Sequence, residues 1–385
     1  MMITEGAGEL NRVARVTPEV VTRVTTPTFS ERIPIVLRAT ADEARGARMR
    51  IGGLRVIDRA IRQLSKLGDA TVLIATDGSI PLPRRLPAKI EVRDIDGNAG
   101  AAIDRLRAEL GAEVMVLGAD NVWIQPARFD RAIRVVDSAS RRLAEDQVYL
   151  DLQRNTVGLV DRAVNRRASS VLTRLVLSKL PLAPALVTLA AGFVGLYGAL
   201  MIATGAAPTL ILGFVLLQAS IVLDGCASEL ARVRLHQSAF GAWLDTMVGD
   251  FLNIVMILAV GLALWRHGGT YLDMKMALVS AALTLFYVVV SYRELIRQRQ
   301  GDVMKLRWWF AYGQQLRSLS GAGGAQIKAV MLLGRRDVVV LLALGLAYFD
   351  QLPIIALYMM IISLVRAAGA LGQLLTPDWR VRPPG

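Results

Sequence analysis

Residues 221–250 read IVLDGCASELARVRLHQSAFGAWLDTMVGD, a polar stretch with spaced carboxylates set between two apolar runs. Carboxylates at the ends of membrane helices are costly and mark functional positions by default. Asp residues spaced in this way suggest a divalent-metal site built to hold phosphates. Two positions where such a site wants carboxylates carry Ala227 and Gly249. Whether the chain does chemistry turns on those two positions.

Outward from this stretch, the 385 residues suffice for two domains, and the 54% hydrophobic content is unevenly spread. Residues 1–30 read as a tail. Residues 31–156 alternate short apolar runs with charge, as a soluble domain does, and residues 157–385 carry longer apolar runs. Leu182–Ala203, Pro208–Leu223, Ala242–Trp265, Met276–Tyr292, Val338–Phe349 and Ile354–Leu375 read as six transmembrane helices. A span needs roughly 20 apolar residues. The fifth run is short and must borrow from its flanks, the alternative being a buried core helix.

Lys and Arg in short loops set the orientation. The loop between the fourth and fifth runs is rich in Arg and Lys, Arg335 and Arg336 among them, and the approach to the first run carries Arg162, Arg166, Arg167, Arg174 and Lys179. The loop Thr204–Ala207 and the turn Asp350–Pro353 carry neither. A multi-pass protein of the plasma (inner) membrane with both termini cytoplasmic satisfies this pattern. The start, MMITEGAGEL, is acidic and lacks an apolar core, so no signal peptide is expected. Much of the net charge of +13 lies beside the apolar runs. Membrane lipids, rather than nucleic acid, are therefore the expected partner. The single Cys226 excludes an intrachain disulfide and reads as a packing residue. Two His argue against a His-based metal site, and His236 reads as loop surface.

In the soluble region, Ile35–Leu37, Thr71–Ala75 and Val114–Leu117 read as strands, and Val56–Leu67 and Ala101–Leu110 as helices. The alternation predicts an α/β sandwich with a largely parallel sheet. The segments GGLRVIDRAIRQL (52–64), TVLIATD (71–77) and GNAGAAIDRLRAELGAEVMVLGAD (97–120) resemble a sugar-phosphate nucleotidyltransferase domain of GT-A-like fold. In that family an Asp after the later strand holds the catalytic metal, and Asp120 matches it. The family's glycine-rich phosphate loop belongs just after the first strand. Here that region reads RATADEARGARMRIGG (38–53), whose Gly46 and Arg48 do not rebuild a loop of backbone N–H groups around a triphosphate. The expectation is a retained fold without nucleotide transfer.

Residues 157–196, VGLVDRAVNRRASSVLTRLVLSKLPLAPALVTLAAGFVGL, followed by LDGCASELAR (223–232) and SAFGAWLD (238–245), resemble the CDP-alcohol phosphotransferase family. The likeness is to the branch that makes phosphoinositol-type lipids or di-inositol phosphates and is often fused to a cytidylyltransferase domain. The family pattern is D, two residues, D-G, two residues, A-R, eight residues, G, three residues, D, three residues, D. Asp224 matches the first Asp, Ala231-Arg232 the A-R pair, Gly241 the glycine and Asp245 the third Asp. Ala227 and Ser228 replace the internal D-G, and Gly249 replaces the last Asp.

The resemblance implies four carboxylates facing each other from two helices, holding two Mg2+ or Mn2+ ions that neutralise a pyrophosphate. It implies transfer of a phosphoalcohol from a CDP-linked donor to an alcohol acceptor with release of CMP. It also implies a homodimer. In the family the last Asp serves as base, so no catalytic residue is assigned and Gly249 stands at that position. Gly225, Ser228 and Gly241 would allow close approach of helices and nucleotide, and Arg232 would clamp phosphate or carboxylates. Arg335-Arg336-Asp337 resembles a basic patch for acceptor phosphate, which positive-inside anchoring explains equally. Glu229 and Asp250 each lie about 140° around their helix from Asp224 and Asp245 and do not face the site without distortion. The alternative is a catalytically inactive pseudoenzyme, a membrane binding or scaffold partner in which Asp224 and Asp245 pair with Arg232. Arg366 either snorkels to the headgroups or faces a cavity, and Trp308, Trp309 and Tyr312 suit an interfacial helix. No internal repeat of the kind transporters show is present.

Overall fold

The computed structural model describes residues 34–67, 71–95, 99–110, 114–124, 132–154, 165–298, 306–311 and 331–376. The chain divides into two compact units. The first is Met1–Asn155 with Ser178–Leu180 and Arg232–His236, and the second is Thr156–Leu177, Pro181–Ala231 and Gln237–Gly385.

In the first unit, β1 (Ile35–Ala39) leads through the short helix α1 (Ala44–Arg48) into a hairpin of β2 (Arg50–Ile51) and β3 (Leu54–Arg55). Gly52 and Gly53, at φ +58° and +82°, supply the turn, where positive φ is cheap for glycine alone. Then follow α2 (Val56–Leu64), β4 (Val72–Thr76), β5 (Ile90–Asp94), α3 (Ala99–Leu110) and β6 (Met115–Gly118). A small hairpin, β7 (Asn121–Trp123) with β8 (Ala132–Arg134), and α4 (Ser138–Arg154) complete the described part of Met1–Asn155. The sheet runs β5-β4-β1-β6, every pairing parallel.

The alternation along β1 explains the two layers. Ile35, Leu37 and Ala39 enter a cluster with Ile57, Ala60 and Leu64 of α2, whereas Val36 joins Leu73, Ala75, Ala102 and Leu106 on the face covered by α3. A parallel sheet covered on both faces gives the near-continuous apolar strands IVLRA and VLIAT. The expected strands and helices form here, but β5 and α4 carry no comparable apolar run.

The second unit is helical: α5 (Arg166–Leu175), α6 (Pro184–Ala203), α7 (Ala207–Val233, which continues into the first unit's Arg232–His236 segment), α8 (Ala239–Arg266), α9 (Tyr271–Arg297), α10 (Arg336–Tyr348) and α11 (Leu352–Leu375). Five of these, α6 to α9 and α11, are long and apolar enough to cross a membrane. The expected fifth span is the 13-residue helix α10. At 1.5 Å per residue it reaches about 20 Å, short of a hydrocarbon core of about 30 Å. Helix α8 lies at the centre, packed on α6, α9 and α11. Helices α6 and α7 cross at Gly198 and Gly213, where a Cβ on either would meet the other's carbonyl oxygen at 2.7 and 2.5 Å. Small residues at such crossings are how helices pack closely in lipid. Helix α7 continues ten residues past the apolar run's end at Leu223, so Asp224 to Arg232 are helical.

Candidate functional site

The final turns of α7, the first turns of α8 and the start of α10 converge. Ser238 starts α8 as its N-cap, its Oγ accepting from the Gly241 N–H at 3.0 Å. That cap sets the register in which Gly241, Asp245 and Gly249 follow one another at four-residue spacing along one helix face. From α10, the Arg336 Nη2 donates to Asp224 Oδ2 at 3.1 Å. A Cβ built on Gly249 would stand 3.4 Å from Arg336 Nη1. The guanidinium therefore lies over the position where the resembled pattern has its fourth carboxylate while holding Asp224, which stands at the first. Arg336 Nη1 and Asp224 Oδ1 are buried and have no hydrogen-bond partner among the described residues.

Ala227 does not face this junction. It is 3% exposed and packs with Val187, Cys226 and Leu230, flanked by Leu172, Leu177 and Leu182. Gly225 faces α5, where a Cβ would touch Ser169 at 3.3 Å, so its smallness serves helix approach there. Gly241 has only Ser238 Oγ near its Cβ position. Asp245 is half-buried, one turn before Gly249. Arg232, half-buried in the last turn of α7, belongs to the segment grouped with the first unit.

The neighbouring carboxylates are committed elsewhere, as their angular offsets predict. Glu229 Oε1 accepts from Ser169 Oγ at 2.9 Å and Arg166 Nη1 at 3.3 Å, and Asp250 Oδ2 accepts from Tyr292 Oη at 3.0 Å. Arg335 donates to Asp337 Oδ1 at 3.0 Å. Sequence reasoning missed how α10 is aimed. Tyr358 of α11 donates to the Leu333 carbonyl at 2.7 Å, and Arg366 of α11 donates to the Gly334 carbonyl. Two donors from one helix thus pin the turn that delivers Arg336. The signal was there in Arg366, an isolated cation in an apolar run. It lines a small cavity with Asn253, Thr284 and Ser363 rather than reaching outward. Of the three aromatic residues expected on an interfacial helix, Trp308 is 1% exposed and stacks on Tyr287 at 5.9 Å, Trp309 is 41% exposed, and Tyr312 lies outside the described residues.

In the first unit the region of the expected phosphate loop is filled by the protein's own acids. Glu43, fully buried, accepts from the Thr40 N–H at 3.1 Å and from Thr40 Oγ1 and Arg38 Nε. The Ala41 N–H is bound by Asp77 Oδ2 at 2.9 Å. Gly46 sits against β8's exit, where a Cβ would lie 1.7 Å from the Val135 carbonyl oxygen and 2.8 Å from Asp120 Cβ. Its missing side chain serves packing. Asp120 is buried and bonded by Arg134 Nε at 2.8 Å. Burial pushes the Asp120 carboxyl above the usual carboxylate range, Arg134 draws it partly back, and the same contact raises Arg134.

As arranged, the residues at the α7–α8–α10 junction do not fit a pair of divalent ions. One expected ligand position points into an apolar cluster, another lies under a guanidinium, and Asp224 is already paired. Among the described residues no group of three or more His, Cys, Asp or Glu side chains is placed to hold a metal.

No protein-family model matches the chain. The "Bifunctional IPC transferase and DIPP synthase" of Aquifex aeolicus (strain VF5) is 29% identical over 107 residues, 28% of this chain. The match spans only 24% of that protein's length. The chain is thus similar, over about a quarter of either length, to a protein whose name gives it two activities.

Proposed function

We propose that this is an integral membrane protein built on the CDP-alcohol phosphotransferase frame that no longer performs metal-dependent transfer, and that its helix junction serves as a binding or scaffold site. The observation that carries this reading is the Arg336 guanidinium, placed over Gly249 and paired with Asp224. A cation in that position competes with a divalent ion for the carboxylate that would hold it. The N-terminal domain is read as GT-A-like, with its transfer chemistry lost to the same kind of self-pairing. In this reading α10 serves as a short sixth crossing, the N-terminal domain and C-terminus face the cytoplasm, and the chain forms a homodimer.

The second reading is a working transferase that passes a phosphoalcohol from a CDP-linked donor to an alcohol acceptor, with Asp224 and Asp245 holding Mg2+ or Mn2+. The name of the Aquifex relative and the retention of both Asp residues favour it. The test is CMP release by the purified full-length protein from CDP-diacylglycerol or CDP-inositol, with magnesium and candidate alcohols. The first reading expects no metal-dependent turnover. Turnover that disappears in Asp245→Asn would establish the second.

A further inference from the structure

We infer that Arg336 supplies, as a fixed side-chain cation, the positive charge that divalent ions would otherwise bring, and that the α7–α8–α10 junction takes a phosphate or pyrophosphate anion without metal. This rests on the junction being the ligand site of the proposed frame, and it goes beyond that reading in naming what binds and how. Four observations carry it. Arg336 uses Nη2 on Asp224 and leaves Nη1 buried without a partner among the described residues. A guanidinium has five donors in a planar fork, so one bond to a carboxylate leaves it able to grip a phosphate oxygen as well.

Gly249, directly opposite Nη1, supplies no competing side chain. An Asp there would occupy Nη1, whereas Gly leaves that donor open. The cation is also aimed. Tyr358 and Arg366 hold the two carbonyls, of Leu333 and Gly334, that immediately precede the Arg335-Arg336 step. Asp224 Oδ1, buried and without a hydrogen-bond partner among the described residues, is an acceptor for a hydroxyl. A phosphate or pyrophosphate bearing a nearby hydroxyl satisfies both open atoms. An unmet buried donor and acceptor each cost free energy that such a ligand recovers.

The experiment uses the purified full-length chain in lipid nanodiscs, titrated with inorganic pyrophosphate and with CDP by thermophoresis, in EDTA and again in magnesium. Both probes are expected to bind in EDTA, and magnesium is expected to leave the affinity unchanged. Arg336→Gln is expected to weaken binding on the order of tenfold or more, and Arg336→Lys less, which separates loss of charge from loss of fold. Asp224→Asn is expected to tighten pyrophosphate binding, because it releases Arg336 from its carboxylate and pyrophosphate brings no hydroxyl for Oδ1 to accept. A carboxylate–metal site gives the opposite sign. Pyrophosphate affinity that requires magnesium, or that falls in Asp224→Asn, overturns the inference, as does failure of pyrophosphate to bind at all. CDP binding no tighter than pyrophosphate leaves this inference standing and removes the CDP-linked ligand from the proposed function. CDP bound with Arg336 irrelevant does the reverse.

Discussion

The loop after β1 and the α7–α8–α10 junction are both places where the resembled families handle phosphate, and both are occupied by the chain's own charged side chains. They differ in how completely. In the first unit Glu43 and Asp77 satisfy the N–H groups of Thr40 and Ala41, and Arg134 meets Asp120. In the second, among the described residues, one bond joins Arg336 to Asp224, and a donor and an acceptor beside it stay open. The first arrangement resembles a phosphate loop holding its own carboxylates where an anion would go. The second is a half-filled pair next to a glycine. A fully satisfied polar network stabilises structure and excludes ligand, whereas a half-satisfied one costs free energy that a ligand can recover.

The largest expected effect comes from breaking the sealed loop. Glu43→Ala removes the acceptor of the buried Thr40 N–H and Thr40 Oγ1 and frees Arg38, whose side chain is 37% exposed and screened by water, and should cost about 3 kcal/mol of local stability. Hydrogen exchange read by mass spectrometry on the full chain should show the Thr40 and Ala41 amides exchanging roughly 100-fold faster. If the Glu43→Ala, Asp77→Ala double variant gains pyrophosphate binding, the loop is blocked rather than lost, and the contrast between the two units narrows.

Next comes the attempt to rebuild the four-carboxylate pattern. Ala227→Asp places a charge into the cluster of Val187, Cys226 and Leu230, and should destabilise by about 2–3 kcal/mol. Gly249→Asp gains an ion pair with Arg336 and should be within about 0.5 kcal/mol of neutral. The two replacements, equivalent in the sequence pattern, should therefore separate in unfolding titrations in mixed micelles. Equal costs would mean that Ala227 faces the junction after all.

A double-mutant cycle over Arg336→Gln and Asp224→Asn follows, with an expected coupling of about 1–2 kcal/mol because both side chains are largely buried. The matching cycle over Arg134 and Asp120 should fall below about 1 kcal/mol, since Arg134 is 46% exposed and water screens it.

Much of this was legible in the sequence because it follows from period and spacing. The IVLRA and VLIAT strands, the long apolar helices and the offsets of Glu229 and Asp250 all rest on geometry that any helix or strand obeys. What was not legible depends on contacts far apart in the chain. The pairing of Asp224 with Arg336 spans 112 residues. Position 227 was expected to share a face with Asp224, and the three-residue spacing permits that, but the apolar surface of α5 and the start of α6 claims it instead. The shortness of α10, by contrast, was legible: the apolar run Val338–Phe349 matches the helix Arg336–Tyr348 to within two residues at either end.

The smallest expected effect is a pH dependence that belongs to the first unit. Asp120 is held above its ordinary value by burial, so its folded-state pKa exceeds its unfolded one. The sign follows from linkage. A protonated Asp120 favours the folded state, so its contribution is fully present below the unfolded value of about 4 and is lost as pH rises through the raised folded value. Asp120→Asn should flatten this slope in the stability of the β7–β8 region, read by exchange of the Val135 amide, which donates to the Asp120 carbonyl at 2.9 Å. A slope unchanged by the substitution would assign the pH dependence to another group. A slope of opposite sign would mean that Arg134 outweighs burial, and that the pair holds the fold together at neutral pH as an ion pair rather than merely tolerating a buried acid.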